Sequence, residues 1–355
     1  MKVVIAYRKI RTGSDPMIKD PYHAGGLASN ALHSVAVLKK MGIDACLLQV
    51  SDFTDIVCYL NDHVHVTHMI IEAVWVTVPQ LHHLSMTYPN VSFAVRAHSK
   101  MGFLQVEPEA ITTMCRIIKL SQAHENVSFS SNNEEFSASL AEVFGACLYL
   151  PNLYDTSGAP PKEKRHAHRG LDTELHIASF GANRLLKLHP SAALAALQIG
   201  VRMNRPVRFY VNVDKTPGGE SVRRSIRNLI SEDGNAELVE VGWQDTETFK
   251  RTIAGMDLVL QLSATETFCM VAADAIASNV PVIGSHALNW LPKRYQVNAD
   301  NTGEVARAGV DALSKGPSTA CRETEALKKY LDDAKSVWRK YLGLSTRRPG
   351  FSWPF

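Results

Sequence analysis

The stretch 263–285 holds the densest set of residues that could do chemistry, and two acidic residues, Glu266 and Asp274, mark it. It opens, directly after an apolar segment of strand length, with three small residues: Ser263, Ala264 and Thr265. Small residues let backbone N–H groups at the start of a helix, predicted at 268–278, approach a phosphate closely, and the helix dipole favours that charge. The carboxylates are eight positions apart, which predicts that both lie on roughly one side of the helix start and accept hydrogen bonds from sugar hydroxyls. The alternative interpretation is that Glu266 caps the helix and Asp274 is a solvated surface residue.

Two cations stand in a second candidate segment, residues 179–190, which also follows a predicted strand. Arg184 and Lys187 are three positions apart, so on a helical turn they face the same way. Two positive charges there can neutralise a departing diphosphate, which is the electrostatic help that such a leaving group needs. The alternative is a solvated basic helix start, a common surface feature.

The first half of the chain offers a histidine and a glycine pair. His98 comes directly after the predicted strand 91–97, and the carboxyl end of a strand in an open α/β sheet faces the ligand crevice. Gly25 and Gly26 precede the helical pattern that ends at Met41, and glycine lets the backbone approach a diphosphate. Any tight turn could use the same pair of glycines.

Segments of strand and helix character alternate along the chain and must position these residues. In the first half, strands are predicted at 2–7, 43–50, 68–76, 91–97 and 126–130, and helices at 27–41, 107–122 and 133–144. In the second half, strands are predicted at 174–180, 206–213, 237–241, 257–262 and 280–284, and helices at 190–203, 219–231, 246–254 and 268–278. Such alternation indicates parallel βαβ units. The sequence therefore predicts an α/β fold of two Rossmann-like domains that face each other across a cleft.

A change of composition divides the two series of elements. The stretch 151–160 contains several Pro, Gly and Asn residues, and the charged run 162–169 follows it. We predict an N-terminal domain, a C-terminal domain, and a last helix with a tail that packs back towards the N-terminal domain. Their ranges are 1–152, 153–322 and 323–355.

The composition is that of an ordinary globular chain, because 355 residues with 45% hydrophobic and 21% charged side chains exclude disorder, collagen and coiled coil. The longest apolar stretch, 69–78, contains Glu72 and is far short of the ~20 residues of a membrane span. The six cysteines include no C-x-x-C pair and fit a reducing compartment, so we expect a cytoplasmic protein without integral membrane contact.

The stretch 263–285 resembles the donor-site motif of the retaining glycosyltransferases of family 4, which have the two-Rossmann-domain (GT-B) fold. The matching residues are Glu266-Thr267-Phe268-Cys269, then Asp274, then Val280-Pro281-Val282. By this resemblance, Glu266 contacts the donor sugar, the loop of Thr265, Thr267 and Phe268 binds the diphosphate, and Asp274 holds the ribose hydroxyls. Asp274 stands where the family has Glu, and Cys269 stands where it has Gly.

Other segments resemble the same family over nearly the whole chain. Arg184 and Lys187 match the Arg and Lys that meet the nucleotide phosphates, and His98 matches a His that contacts the sugar near the reacting carbon. Gly25 and Gly26 match the Gly-Gly pair after the first strand. Two weaker matches are Gly242-Trp243, similar to the turn beside the nucleobase, and 151–155, similar to the interdomain hinge. Trp243 could equally pack beneath its turn.

The resemblance implies a hexosyltransferase that moves a sugar from a nucleotide-diphosphate donor to an acceptor hydroxyl with retention of the anomeric configuration. His98 and Glu266 are the expected catalytic residues. By the same resemblance, the N-terminal domain, 1–152, is the acceptor side and the C-terminal domain, 153–322, is the donor side. The UDP- or GDP-sugar is a co-substrate, so no cofactor and no metal are expected, and the acceptor is a glycan, a small molecule or a nucleic acid.

Three alternatives stay open at this stage. They are a nucleotide-sugar epimerase or phosphorylase on the same fold, a non-catalytic sugar-nucleotide binding protein, and a glycosyltransferase that modifies a nucleic-acid base. The charge distribution bears on the last one, because residues 1–150 carry a net charge of −2 and residues 151–355 a net charge of +5. A basic half attracts anions, but the expected acceptor domain is the acidic half.

Overall fold

The computed structural model describes residues 1–9, 25–160, 174–213 and 219–344, and within them the strands form two six-stranded parallel sheets. The first sheet has the order β2-β1-β3-β4-β5-β6 and the second has the order β12-β11-β10-β7-β8-β9. The strands of the first sheet are β1 (Lys2–Arg8), β2 (Asp44–Val50), β3 (His68–Glu72), β4 (Ser92–Ala97), β5 (Val127–Ser131) and β6 (Leu148–Tyr149). The strands of the second sheet are β7 (Leu175–Ser179), β8 (Val207–Val213), β9 (Ala236–Gly242), β10 (Leu258–Gln261), β11 (Val282–Ser285) and β12 (Gln296–Val297).

Helices cover both faces of each sheet. The helices that accompany the first sheet are α1 (Gly25–Lys40), α2 (Phe53–Asp62), α3 (Val78–Thr87), α4 (Met101–Leu104), α5 (Pro108–Ala123) and α6 (Glu134–Phe144). Those that follow are α7 (His189–Met203), α8 (Gly219–Ser231), α9 (Thr246–Ala254), α10 (Met270–Ala277), α11 (Thr302–Lys315) and α12 (Pro317–Tyr341). The α/β fold class predicted from the alternation of elements is confirmed.

The central strands of both sheets are mostly apolar because both of their faces are buried, whereas the edge strand β9 carries exposed glutamates. In β1, Val3 and Ile5 pack into one core and Val4 and Ala6 into the other, as the two-residue period of a strand requires. This architecture leaves the carboxyl ends of the parallel strands as the place where polar side chains can gather.

The prediction of elements was wrong at several places. It missed the helices α2, α3, α4 and α11 and the two-residue strands β6 and β12, although Asp52 and Asp55 form a capping box at the start of α2, a signal visible in the sequence. The strand predicted at 68–76 ends at Glu72, because Ala73 has a φ of 68° and turns the chain out of the sheet.

Helix α12 contacts the cores of both halves. Its residues Leu327 and Leu331 pack with one core of the second sheet, and Trp338 packs with the core of the first sheet around Val3 and Ile5. The linker after β6 and this helix are therefore two connections between the halves, and the predicted domain limits at 152 and 322 stay a prediction.

Two sequence features singled out above lie outside the described residues: the charged run 162–169 and the tail 345–355. Within the described ranges, no helix combines the length and the apolar character needed to cross a membrane.

Candidate active site

A cavity lies where the carboxyl ends of strands from both sheets meet. The first half contributes four of its lining residues: His98, Ser99, Lys100 and Phe103. The second half contributes six: Arg184, Leu186, Lys187, Thr265, Glu266 and Thr267. These residues follow β4, β7 and β10, so the cavity occupies the position in which open α/β sheets bind their ligands.

Lys187 and Glu266 form an ion pair in the cavity wall, and Ser263 Oγ donates a hydrogen bond of 2.9 Å to Glu266 Oε1. Burial lowers the pKa of Lys187 and the Glu266 carboxylate raises it, with a net shift upward. The amine is therefore charged at neutral pH. The Ala264 N–H also donates to Leu186 O at 2.8 Å. This backbone hydrogen bond and the ion pair fix the loops after β7 and β10 relative to each other.

Arg184 reaches across to the first half of the chain. Its guanidinium lies 4.8 Å from the centroid of the Phe103 ring, a cation–π contact. A Cβ added at Gly102 would come 3.0 Å from Thr265 Cβ, so any larger residue there would have to push Thr265 away. Both predicted phosphate-binding cations thus line the cavity, and α4 lies directly opposite them.

The expectation that Glu266 and Asp274 share one side of a helix start is wrong. Helix α10 begins at Met270, so Glu266 lies in the preceding loop and Asp274 lies in the second turn of the helix. Cys269 has a φ of 67°, a left-handed conformation that is incompatible with a right-handed helix. The loop therefore continues up to this residue. Residues 266–269 therefore separate the small residues of the loop from the helix start.

Asp274 is buried and does not line the cavity. Its Oδ1 accepts a hydrogen bond of 2.6 Å from the Tyr154 hydroxyl in the linker, and the residue is 9% exposed. Burial raises the pKa of Asp274 to about 6, although Tyr154 and Lys250 lower it. The alternative that Asp274 is a solvated surface residue is wrong.

Phe268 has no side-chain access to the cavity. Its ring stacks between Trp290 and Tyr330, with centroids 5.5 and 4.9 Å away, and it is 1% exposed. Trp290 Nε1 donates to Phe268 O at 2.6 Å, so that carbonyl is occupied as well. A contact between the Phe268 side chain and the donor is excluded in this arrangement.

Four other predicted donor residues do not line the cavity. Gly242 ends β9, and Trp243 follows it with 40% of its surface exposed. Gly25 and Gly26 begin α1, and the space where Gly26 would carry a Cβ is open. The backbone at Gly26 is thus accessible, while its role as a phosphate site stays a prediction.

His98 is held by three neighbours. Its Nε2 lies within hydrogen-bond distance of Glu72 Oε2, its Nδ1 lies 3.2 Å from Asn132 Nδ2, and its backbone carbonyl accepts from Thr267 Oγ1 at 3.2 Å. Burial lowers the pKa of His98 and Glu72 raises it, with a net shift downward, so the ring is neutral at neutral pH. Thr267, predicted from the donor loop, therefore contacts the predicted histidine of the other half directly.

Glu72 and Arg96 are site residues that the motif analysis missed. Both are 0% exposed, and they are direct neighbours in the register of β3 and β4. Arg96 donates from Nε at 3.0 Å and from Nη2 at 2.6 Å to the two carboxylate oxygens. The sequence did carry a signal, because each of these two apolar strands has a charged residue near its carboxyl end: Glu72 in β3 and Arg96 in β4. Arg96 stands two residues before His98.

The described residues contain no group of three or more His, Cys, Asp or Glu side chains arranged to hold a metal ion. The cations of the cavity are Lys100, Arg184 and Lys187, of which Lys100 lies 3.6 Å from Glu135. An anionic ligand in this cavity would therefore meet protein cations.

Comparison of the whole chain gives matches at the level of structure. No protein-family model matches the sequence, and no curated protein does either. A structure of the trehalose-6-phosphate protein of E. coli with bound UDP-2-fluoro glucose has a TM-score of 0.66 at 13% identity and covers 98% of this chain and 100% of that one. A trehalose-6-phosphate synthase, studied for enzymatic glycosyltransfer with retention, has a TM-score of 0.63 at 14% identity, with coverage of 98% and 100%.

A third similar structure extends the likeness beyond these proteins. TarM of S. aureus, in complex with fondaparinux, α-GlcNAc-glycerol and UDP, has a TM-score of 0.56 at 14% identity and covers 82% of this chain and 58% of that one. At 13–14% identity these likenesses establish the architecture. The chain therefore has the GT-B fold, in which two Rossmann-like halves face each other across a cleft.

Proposed function

We propose that this protein is a retaining glycosyltransferase of the hexosyltransferase type, which moves a sugar from a UDP- or GDP-sugar to an acceptor hydroxyl. The observation that carries the proposal is the cavity itself. It combines Arg184, Lys187 and Glu266 on one wall with His98 on the other, at the carboxyl ends of strands from both sheets. Three similar structures support it, since one contains UDP-2-fluoro glucose, another contains UDP, and a third was studied for transfer with retention.

The cations are proposed to stabilise the leaving diphosphate. Breaking the bond to the anomeric carbon leaves negative charge on the phosphate oxygens, and preorganised cations stabilise that charge more in the transition state than in the bound donor. Arg184 offers a planar fork of donors, and Lys187, fixed by Glu266, offers a point charge. These side chains can neutralise the charge that a divalent cation would otherwise neutralise, so we propose that the nucleotide sugar and the acceptor react without a cofactor or a metal ion.

Glu266 and His98 are proposed to orient the sugar between the two walls. Glu266 retains Oε2 for a sugar hydroxyl, because its described contacts with Lys187 and Ser263 both use Oε1. We propose that the acceptor hydroxyl approaches from the wall of His98, Ser99 and Lys100, on the same face of the sugar as the departing phosphate. Attack on that face forms the bond between the acceptor oxygen and the anomeric carbon while the bond to the phosphate breaks, and the hydroxyl proton passes to the departing phosphate oxygen. The configuration is then retained without a covalent intermediate on the protein.

A transfer assay tests the proposal. The full chain is incubated with radiolabelled UDP-glucose, UDP-N-acetylglucosamine or GDP-mannose and a panel of free sugars, sugar phosphates and oligosaccharides, and the product anomer is read by NMR. We expect transfer from at least one donor, with the anomeric configuration retained. Binding of a donor without turnover would replace the proposal by a binding protein, turnover without an acceptor would indicate an epimerase or hydrolase, and an inverted product would refute retention.

The variant Lys187→Ala tests the assigned charge role. We expect kcat/KM to fall about 10²- to 10³-fold, the usual loss for removal of one donor to a developing oxyanion, while the circular dichroism spectrum is unchanged. Lys335→Ala, which removes an exposed lysine 2.9 Å from Asp332, is the matched control and should keep full activity. Wild-type turnover in Lys187→Ala would contradict the role of Lys187.

A further inference from the structure

A buried acidic residue sets the protonation of the histidine in the cavity. We propose that Glu72 is a positioning residue that fixes His98 in the tautomer with its proton on Nε2, so that Nδ1 is presented to a sugar hydroxyl, and that Arg96 is the counter-ion that holds Glu72 in place. The inference deepens the proposed function and rests on it for the role of the sugar.

The Nε2 atom of His98 faces the buried carboxylate of Glu72. The Glu72 side chain is fully buried and its Oε2 faces both Arg96 Nε, at 3.0 Å, and His98 Nε2. Burial raises the pKa of Glu72, but Arg96 and His98 together lower it by more, with a net shift downward, so the carboxylate is ionised. An ionised carboxylate can only accept hydrogen bonds. The nitrogen that faces it must therefore carry the proton.

The Nδ1 atom of His98 faces the side-chain amide of Asn132. Asn132 Nδ2 lies 3.2 Å from His98 Nδ1, 3.0 Å from Asn152 Oδ1 and 3.0 Å from Thr267 Oγ1. An amide nitrogen has two hydrogens, so three acceptors compete for two donors and one acceptor is in excess. A sugar hydroxyl can replace Asn132 at Nδ1 without leaving an amide hydrogen unpaired. The neutral ring then accepts that hydroxyl in one defined direction.

Arg96 connects the Glu72–His98 pair to other parts of the fold. Besides Glu72, Arg96 donates from Nη1 to Pro151 O at 3.2 Å, and its guanidinium lies 5.3 Å from the Trp338 ring. Trp338 Nε1 donates to the same Pro151 carbonyl at 2.8 Å. The orientation of His98 is thereby linked to the linker between the halves and to α12.

If Glu72 and Arg96 only stabilised the fold, replacing both would have a different effect from the one that the positioning role predicts. A buried ion pair is on average no more stabilising than well-packed apolar residues, so replacing both partners by apolar side chains of similar volume preserves a fold. Under a structural role such a double replacement leaves His98 and the turnover unaffected. Under the positioning role it removes the acceptor at Nε2.

The tautomer is measured directly by ¹H–¹⁵N NMR on the full chain labelled with ¹⁵N-histidine, with His98 assigned by comparison with His98→Gln. We expect a protonated Nε2 and an unprotonated Nδ1 in the wild type. In the double variant Glu72→Met/Arg96→Leu we expect signals averaged between the two tautomers. A proton on Nδ1, or on both nitrogens, in the wild type overturns the inference, as does an unchanged tautomer in the folded double variant.

Kinetics on the same proteins test the consequence. In the double variant we expect kcat to fall about 10- to 100-fold, as for other outer partners of a site histidine, with the KM for the donor changed less than about threefold because the phosphate-binding cations are intact. Ser85→Ala removes a half-buried hydrogen bond of 2.6 Å to Asn126, at the amino end of β5 and so opposite the cavity, and is the control for lost stability alone. An unchanged kcat in the folded double variant overturns the positioning role.

The two readouts separate this inference from the proposed function. The wild-type tautomer is read without any substrate and is decisive even where the double variant fails to fold. A protein with the expected tautomer that transfers no sugar refutes the proposed function alone.

Discussion

Among the single residues, Asp274 shows how burial changes the chemistry that a sequence motif suggests. The carboxylate is 9% exposed, its Oδ1 accepts from Tyr154 at 2.6 Å, and burial raises its pKa to about 6 from 3.8. An aspartate with that pKa binds its proton more strongly in the folded chain than in the unfolded chain. The hydrogen bond from the linker residue Tyr154 favours the ionised carboxylate, so the raised pKa comes from the cost of burying a negative charge, and that cost is absent at low pH, where Asp274 is protonated.

The variant Asp274→Asn tests this shift. Between pH 4 and pH 6 the folded wild type binds a proton that the unfolded chain releases, so its free energy of unfolding falls as pH rises through this window. A shift of about two units corresponds to about 3 kcal/mol. The asparagine side chain has the same shape and does not titrate, so the variant should lack this part of the slope.

Urea unfolding of both proteins at pH 4 and pH 7 measures the difference. From pH 4 to pH 7, we expect the free energy of unfolding of Asp274→Asn to rise by up to about 3 kcal/mol relative to that of the wild type. The comparison cancels contributions from other titrating groups, which are the same in both proteins. Parallel pH profiles would contradict the raised pKa.

Among the helices and strands, small residues decide how closely helices pack beside the second sheet. Helix α7 is rich in alanine on its buried side, and Gly309 of α11 faces it. A Cβ at Gly309 would lie 2.5 Å from Ile199 Cδ1 and 3.1 Å from Leu258 Cδ2. The absent side chain is what allows α11 to lie close to both α7 and β10.

Gly309→Ala should therefore destabilise the protein by about 1–3 kcal/mol, since overpacking of a full core forces neighbouring side chains to shift. Gly303→Ala is a matched control on the same helix, where the nearest atom to the added Cβ is 3.5 Å away. It should be neutral or stabilise by up to about 1 kcal/mol through helix propensity. Chemical denaturation measures both, and equal effects of the two substitutions would contradict the packing argument.

In the molecule as a whole, α12 and the linker hold the halves in their relative position. Trp338 is fully buried in the core beside β1, while residues earlier in α12 pack with the core of the second sheet. Its indole N–H donates to Pro151 O in the linker at 2.8 Å. A single side chain thus connects the last helix, the linker and the first sheet.

Trp338→Phe keeps an aromatic ring and removes the indole N–H and part of the ring volume. We expect a loss of about 1–2 kcal/mol in the free energy of unfolding, because Pro151 O retains its bond from Arg96, whereas Trp338→Ala should cost about 3–5 kcal/mol. Trp243→Phe, at a position 40% exposed, is the stability control and should stay within about 0.5 kcal/mol of the wild type. Equal stability of Trp338→Ala and the wild type would contradict the bridging role.

Local patterns predicted the fold well because they act over short distances. The buried strands and most helices follow from runs of apolar residues and from caps, such as Gly42 after α1, whose φ is 80°. The helices α2 and α3 are only ten residues long each, so their apolar periodicity covers few turns and does not by itself distinguish them from loops. The premature end of β3 depends on the conformation of Ala73, which no side-chain pattern signals.

The amino-acid sequence was sufficient for the α/β class, the two series of strands and the loops in which Arg184, Lys187, Glu266 and Thr267 stand. It was sufficient because these features depend on neighbours in the chain, and residues at the ends of parallel strands gather at one edge. The three-dimensional arrangement was needed to show that Glu266 pairs with Lys187 while Asp274 and Phe268 are buried. It also joined Glu72 to His98, which are 26 positions apart, since burial and charge pairing depend on partners that are distant in sequence.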